Sequence, residues 1–96
     1  MRPTSDQPAI QIAGGRLAVE GVDAEELAAR FGTPLYVMSE AALRSNVRAW
    51  QDALAAAWPH GETRVLVSLK ANASIALRRI LNQESAGCDV FGQAEL

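Results

Sequence analysis

The sequence predicts an α/β fold built on a parallel sheet, and three observations predict it. The β-branched apolar run "RVLVSL" at 64–69 is too short for a helix, and "GCDVFG" at 87–92 reads as another short buried strand. Each is followed by a segment that carries helical start signals, which is the strand–helix–strand–helix rhythm of a βαβ unit with a right-handed crossover. Ahead of them, alternation about Gly14-Gly15 marks an antiparallel hairpin that cannot belong to the same parallel arrangement.

In order along the chain, residues 1–8 are polar and Pro-containing and read as a loose terminus. The hairpin follows, with Ile10 and Ile12 on one arm and Leu17 and Val19 on the other, so one face should be buried and one solvated. Asp23 opens a helix over 24–31; Glu26 stands at the capping-box spacing, and Leu27 and Phe31 form an apolar stripe. Gly32 and Pro34 end it. "PLYVM", 34–38, is a short apolar run whose leading proline a strand tolerates, either in the main sheet or at a junction.

Ser39 caps a helix over 40–57, in which Leu43, Val47, Trp50, Leu54 and Trp58 recur at helical spacing. Arg44, Arg48, Gln51 and Asp52 are assigned to its opposite, solvated face. The run 64–69 is expected to be a strand buried on both faces. Ser74 starts a helix running to about Glu84 with Leu77, Ile80 and Leu81 as its stripe, and "QAEL" at 93–96 begins another. Because the chain stops there, it reads as the N-terminal portion of something longer.

Composition excludes several functions. Hydrophobic residues are 49% and charged residues 21% of 96, ordinary for a globular domain. The net charge of −2 supplies no basic patch for nucleic acid and no polybasic membrane segment. No apolar stretch has the length of a membrane span and the start lacks a signal core, so a cytoplasmic location is expected. One cysteine and one histidine, Cys88 and His60, make a metal site implausible. Cys88 reads as a buried spectator, His60 as a solvated loop residue, and Trp50 and Trp58 as core.

Lys70 is the one lysine; the other eight cationic side chains are arginine. Arg serves as well for surface charge, but only Lys can lose its proton and attack a carbonyl. The residue follows the apolar run 65–69, at the carboxyl edge where α/β sheets place their ligands. Leu69 and Ala71 flank it and would desolvate it, favouring the uncharged amine.

The segments "GTPLYVMSEAALRSNV", "VSLKANAS" and "AGCDVFGQAEL" together resemble, in order and spacing, the opening of the fold-type III pyridoxal-phosphate decarboxylases. These are the family of ornithine, diaminopimelate and arginine decarboxylases, and the resemblance is nearest to the diaminopimelate branch. It spans residues 32–96. It implies an alanine-racemase-like TIM barrel beginning at residues 39–96, with 1–38 contributing a hairpin of a second β domain and the crossover. It also implies pyridoxal 5'-phosphate as cofactor, an amino acid as substrate, decarboxylation as the reaction and a homodimer at full length. Lys70 aligns with the lysine that binds the cofactor as a Schiff base. Asp89 and Glu95 align with acidic residues near it, catalytic in orienting or protonating it, and Asp89 also helps to bind the cofactor.

Departures from the family pattern are Val67, Ser68, Leu69, Gly92, Gln93 and Ala94. The family's phosphate site and the cysteine lent by a second subunit lie beyond these residues, so this piece alone is expected to be inactive. Two alternatives stand beside the decarboxylase reading. An alanine-racemase-like enzyme would place Tyr-Gly where this chain has Ser74-Ile75. A non-catalytic homologue would keep the fold as an interaction module.

Overall fold

The computed structural model describes residues 8–95, Glu95 by its backbone alone. The chain falls into two compact units, one ending at Leu43 and the other starting at Arg44.

The first unit opens with three antiparallel strands, β1 (Ile10–Ala13), β2 (Arg16–Val19) and β3 (Val22–Asp23), in sheet order β1-β2-β3. Gly14 and Gly15 form the two-residue turn at φ of 59° and 75°, the left-handed values that a tight hairpin demands. The register pairs Gln11 with Ala18 and Ala18 with Asp23. Helix α1 (Ala24–Phe31) contacts β2 and β3. The buried face is the one carrying Ala18, 5% exposed, while Ile10, Ile12 and Leu17 lie open. This corrects the expected facing: α1 requires a small residue for close approach, and Ala18 supplies it.

Asp23 caps α1 as its sequence predicts, one carboxylate oxygen accepting from the Glu25 N–H at 2.8 Å. Arg16 engages the other oxygen and also reaches Glu25 at 2.9 Å. The Arg16 hydrogen bond, aided by the Glu25 N–H, holds the Asp23 carboxyl below its ordinary value. Gly32, at φ 82°, closes the helix with its N–H on the Ala28 carbonyl. Residues 34–38 make no ladder, and Tyr36 is fully exposed. The expected strand is absent because no neighbouring strand offers this segment hydrogen bonds among the described residues. The Thr33–Pro34 peptide is cis.

Helix α2 (Glu40–Ala57) begins where Ser39 predicts, with the Ser39 hydroxyl accepting from the Ala42 N–H at 3.0 Å. In the second unit, strand β4 (Leu66–Ser68), helix α3 (Ile75–Gln83) and strand β5 (Gly87–Asp89) form the βαβ unit, with β4 and β5 parallel. A 3₁₀ turn, η1 (Gln93–Glu95), replaces the α-helix expected at "QAEL".

The covered face of α2 differs from the expected one. Val47 is buried as predicted, but Trp50 is 66% exposed and Trp58 is also open, its ring edge-on to His60 at 5.0 Å. Residues 44, 47, 48 and 51 share helical spacing too, and it is this stripe that engages the end of α3. Glu84, its side chain 8% exposed, receives Arg44 at 2.9 Å and Arg48 at 2.6 Å. Gln51 donates to the Glu84 backbone carbonyl at 2.6 Å, and Arg44 donates to Gln83 at 2.6 Å. The arginines first read as solvated therefore form an ionic clamp. Arg78 adds a tie from α3 to the Ala86 and Gly87 carbonyls at 3.0 and 2.9 Å.

The strand pair is not buried on both faces as its sequence suggests, for Leu66 is 60% exposed and Cys88 is exposed rather than a core spectator. Two strands with one crossover helix cannot cover two faces. Among the described residues the buried apolar side chains are Ala18, Val47, Leu81 and Ala86. At roughly 1.5–3 kcal/mol for each large apolar side chain buried, Val47 and Leu81 fall far short of the chain entropy to be overcome. The 96-residue polypeptide expressed alone is therefore expected to bind an apolar dye and to melt without a cooperative transition. A sharp calorimetric endotherm would contradict this.

Candidate active site

Parallel pairing sets the site. Leu66, Val67 and Ser68 lie beside Gly87, Cys88 and Asp89, and the Leu69 N–H extends the ladder to the Asp89 carbonyl at 3.0 Å. Both strands thus end at one carboxyl edge. Lys70 sits in the turn just past β4, where the Ala71 N–H reaches back to the Ser68 carbonyl at 3.3 Å.

The Lys70 side chain is exposed, so the desolvation expected from Leu69 and Ala71 is not supplied by the described residues. Its Nζ instead lies 4.2 Å from the centre of the Phe91 ring, a cation–π distance. Sequence reasoning did not single out Phe91. The signal was available in the register, because continuing Ser68↔Asp89 by two residues brings 91 opposite 70.

Asp89, expected inside a buried strand, is half-buried at the end of β5. It reaches the same edge as Lys70, but no ion pair or hydrogen bond joins the two among the described residues. Glu95 closes η1, and its side chain lies outside the described residues. The Ser68 hydroxyl is buried without a hydrogen-bond partner. It is a polar group at the end of β4.

An accessible primary amine at a strand edge, with a carboxylate on the next strand, is the donor set that the aldehyde of a pyridoxal cofactor requires. These groups offer nothing comparable for a phosphate, since Arg78 is committed to carbonyls at the other end of β5. A cleft of about 730 Å³ lies at that other end, lined by Gln51, Thr63, Val65, Glu84 and Gly87. Lys70 and Asp89 do not line it. Among the described residues no cluster of metal-ligating side chains occurs, and no helix is long and apolar enough to cross a membrane.

No protein-family model matches the chain. Individual proteins do. Diaminopimelate decarboxylase of Methanocaldococcus jannaschii is 40% identical over 90 residues, 91% of this chain and 20% of that protein. The enzymes of the same name from Methanothermobacter thermautotrophicus and Pseudomonas aeruginosa are 38% and 40% identical over 85% and 83% of this chain. The crystal structure of the M. jannaschii enzyme in complex with L-lysine superposes on 91% of the chain with a TM-score of 0.85 at 38% identity, covering 20% of that structure. The chain thus spans about a fifth of the length of the curated relatives it matches. Over that fifth, in sequence and in fold, it is a homologue of the diaminopimelate decarboxylases.

Proposed function

We propose that the full-length protein is a pyridoxal 5'-phosphate-dependent carboxy-lyase that removes the α-carboxylate of an amino acid, with meso-diaminopimelate as substrate and lysine as product. One observation carries the reading. The chain's sole lysine stands at the carboxyl edge of a parallel strand pair whose second strand ends in Asp89, in a segment about 40% identical to diaminopimelate decarboxylases.

Bound pyridoxal phosphate supplies the electron sink that accepts the pair left behind as CO2 departs. Lys70 would hold the cofactor through its amine and give it up to the incoming substrate amine. Asp89 would orient that amine and exchange a proton with it, and Glu95 would assist from η1. Substrate carboxylate recognition and the phosphate site belong to parts of the protein beyond these residues, so the 96 residues alone are expected to be inactive.

The same reading extends the βαβ unit into an alanine-racemase-like TIM barrel, begun at 39–96, with 1–38 belonging to a β domain and the crossover. It makes the enzyme a cytoplasmic homodimer acting on a small molecule. What supports the barrel is the parallel pair with its crossover helix, the repeating unit from which such a barrel closes.

The test uses the full-length protein with added pyridoxal 5'-phosphate. Borohydride followed by peptide mapping is expected to fix one cofactor on the peptide that contains Lys70, and CO2 release from meso-diaminopimelate is expected to accompany it. A reduced adduct on another lysine, or none at saturating cofactor, would overturn the proposal.

A further inference from the structure

We infer that Phe91 is a positioning residue for Lys70: its ring holds the ε-ammonium in the cofactor-free protein and has to release it before the amine can condense with an aldehyde. The inference rests on the reading of Lys70 as the cofactor lysine. It starts from the 4.2 Å separation between Nζ and the ring centre. A ring face attracts a cation through its quadrupole, and the attraction ends when the charge is gone.

Condensation requires the lone pair. The ammonium yields one proton to solvent, Nζ forms the double bond to the aldehyde carbon, and the two remaining hydrogens depart with the aldehyde oxygen as water. The form that Phe91 holds is therefore not the form that reacts. Other titratable groups on adjoining elements are Asp89 and Cys88 of β5 and Glu95 of η1. Neither Asp89 nor Cys88 forms a hydrogen bond or ion pair with Lys70 among the described residues, so the ring is the group seen to hold this cation.

Phe91 is 68% exposed and lies past Asp89, the last residue of β5, so the backbone pairing of the strands does not run through it. At an exposed site the ring contact is worth about a 2- to 5-fold change in the population of the held amine. Leucine at this position keeps the apolar bulk but not the quadrupole, whereas tyrosine keeps both.

The experiment compares full-length wild-type protein, Phe91→Leu and Phe91→Tyr, each stripped of cofactor. Two rates are followed near neutral pH: uptake of pyridoxal 5'-phosphate, read by absorbance and mapped after borohydride, and labelling of Lys70 by trinitrobenzenesulfonate, mapped likewise. Phe91→Leu is expected to react about 2- to 5-fold faster near neutrality in both assays. Phe91→Tyr, whose phenol stays neutral there, is expected to follow wild type near neutrality. Equal rates for Phe91→Leu and wild type near neutrality, or a slower Phe91→Leu, would overturn the inference. If no cofactor maps to Lys70 in any of the three, the proposed function fails instead, and the labelling rates still decide the role of the ring.

Discussion

Lys70→Arg in the full-length protein is expected to lose the visible absorbance of bound pyridoxal phosphate and at least about 10³-fold in decarboxylation rate. Arginine keeps the positive charge and a long stem, and its guanidinium can rest on the Phe91 ring as the ammonium does. It is never deprotonated in a protein, so it offers no lone pair to a carbonyl. The substitution thus separates charge from nucleophilicity at one position. Far-ultraviolet dichroism should not change, because the Lys70 side chain is exposed and joins no ion pair among the described residues. A coloured, active Lys70→Arg enzyme would remove the basis for the site.

The second large effect concerns the clamp between α2 and α3. Glu84→Gln in the full-length protein leaves Arg44 and Arg48 facing a neutral amide, each cation then opposing the other. Backbone amides of Glu84, Ser85 and Ala86 donate to Ile80, Asn82 and Leu81, closing α3 and turning the chain into β5. Their hydrogen exchange is expected to accelerate about tenfold or more, the scale of losing charge-assisted hydrogen bonds at a largely buried group. Unchanged protection would show that the clamp is ornamental.

The same clamp has a defined pH dependence. Hydrogen bonds from Arg48 and then Arg44 hold the Glu84 carboxyl below its ordinary value of 4.5. A folded-state value below the unfolded one means that the stabilisation is complete above the unfolded value. It is lost as pH falls through the lowered folded value. Wild-type protection at these amides should therefore decline in acid below about pH 4.5, while Glu84→Gln stays flat there.

Local signals were legible in the sequence. Asp23, Ser39, Gly32 and the Gly14-Gly15 turn mark element ends by backbone chemistry that operates within a few residues, and α1 and α2 begin and end where they indicate. The parallel pairing of β4 with β5 was legible as well, because a helix between two apolar runs leaves little alternative. Facing was not. Two stripes of α2 have helical spacing, one apolar and one bearing Arg44, Arg48 and Gln51, and composition favoured the apolar one. The choice was settled by Glu84, more than thirty residues away, which no helical periodicity reports. Strand burial was overestimated for the same reason, since β-branched composition records what a sheet can bury and not how many neighbours these residues bring. Lys70 stands out in the sequence because it breaks a habit of arginine, whereas Phe91, an ordinary apolar residue of an apolar run, becomes visible beside it only once the strands are in register.

The ionic clamp and Lys70 stand at opposite ends of the same two strands. The ion pairs that tie α2 to α3 are thereby kept apart from the strand ends that carry Lys70 and Asp89. Sequence drift, or a laboratory library, in the loops following β4 and β5 can change that edge without loosening the ties behind it.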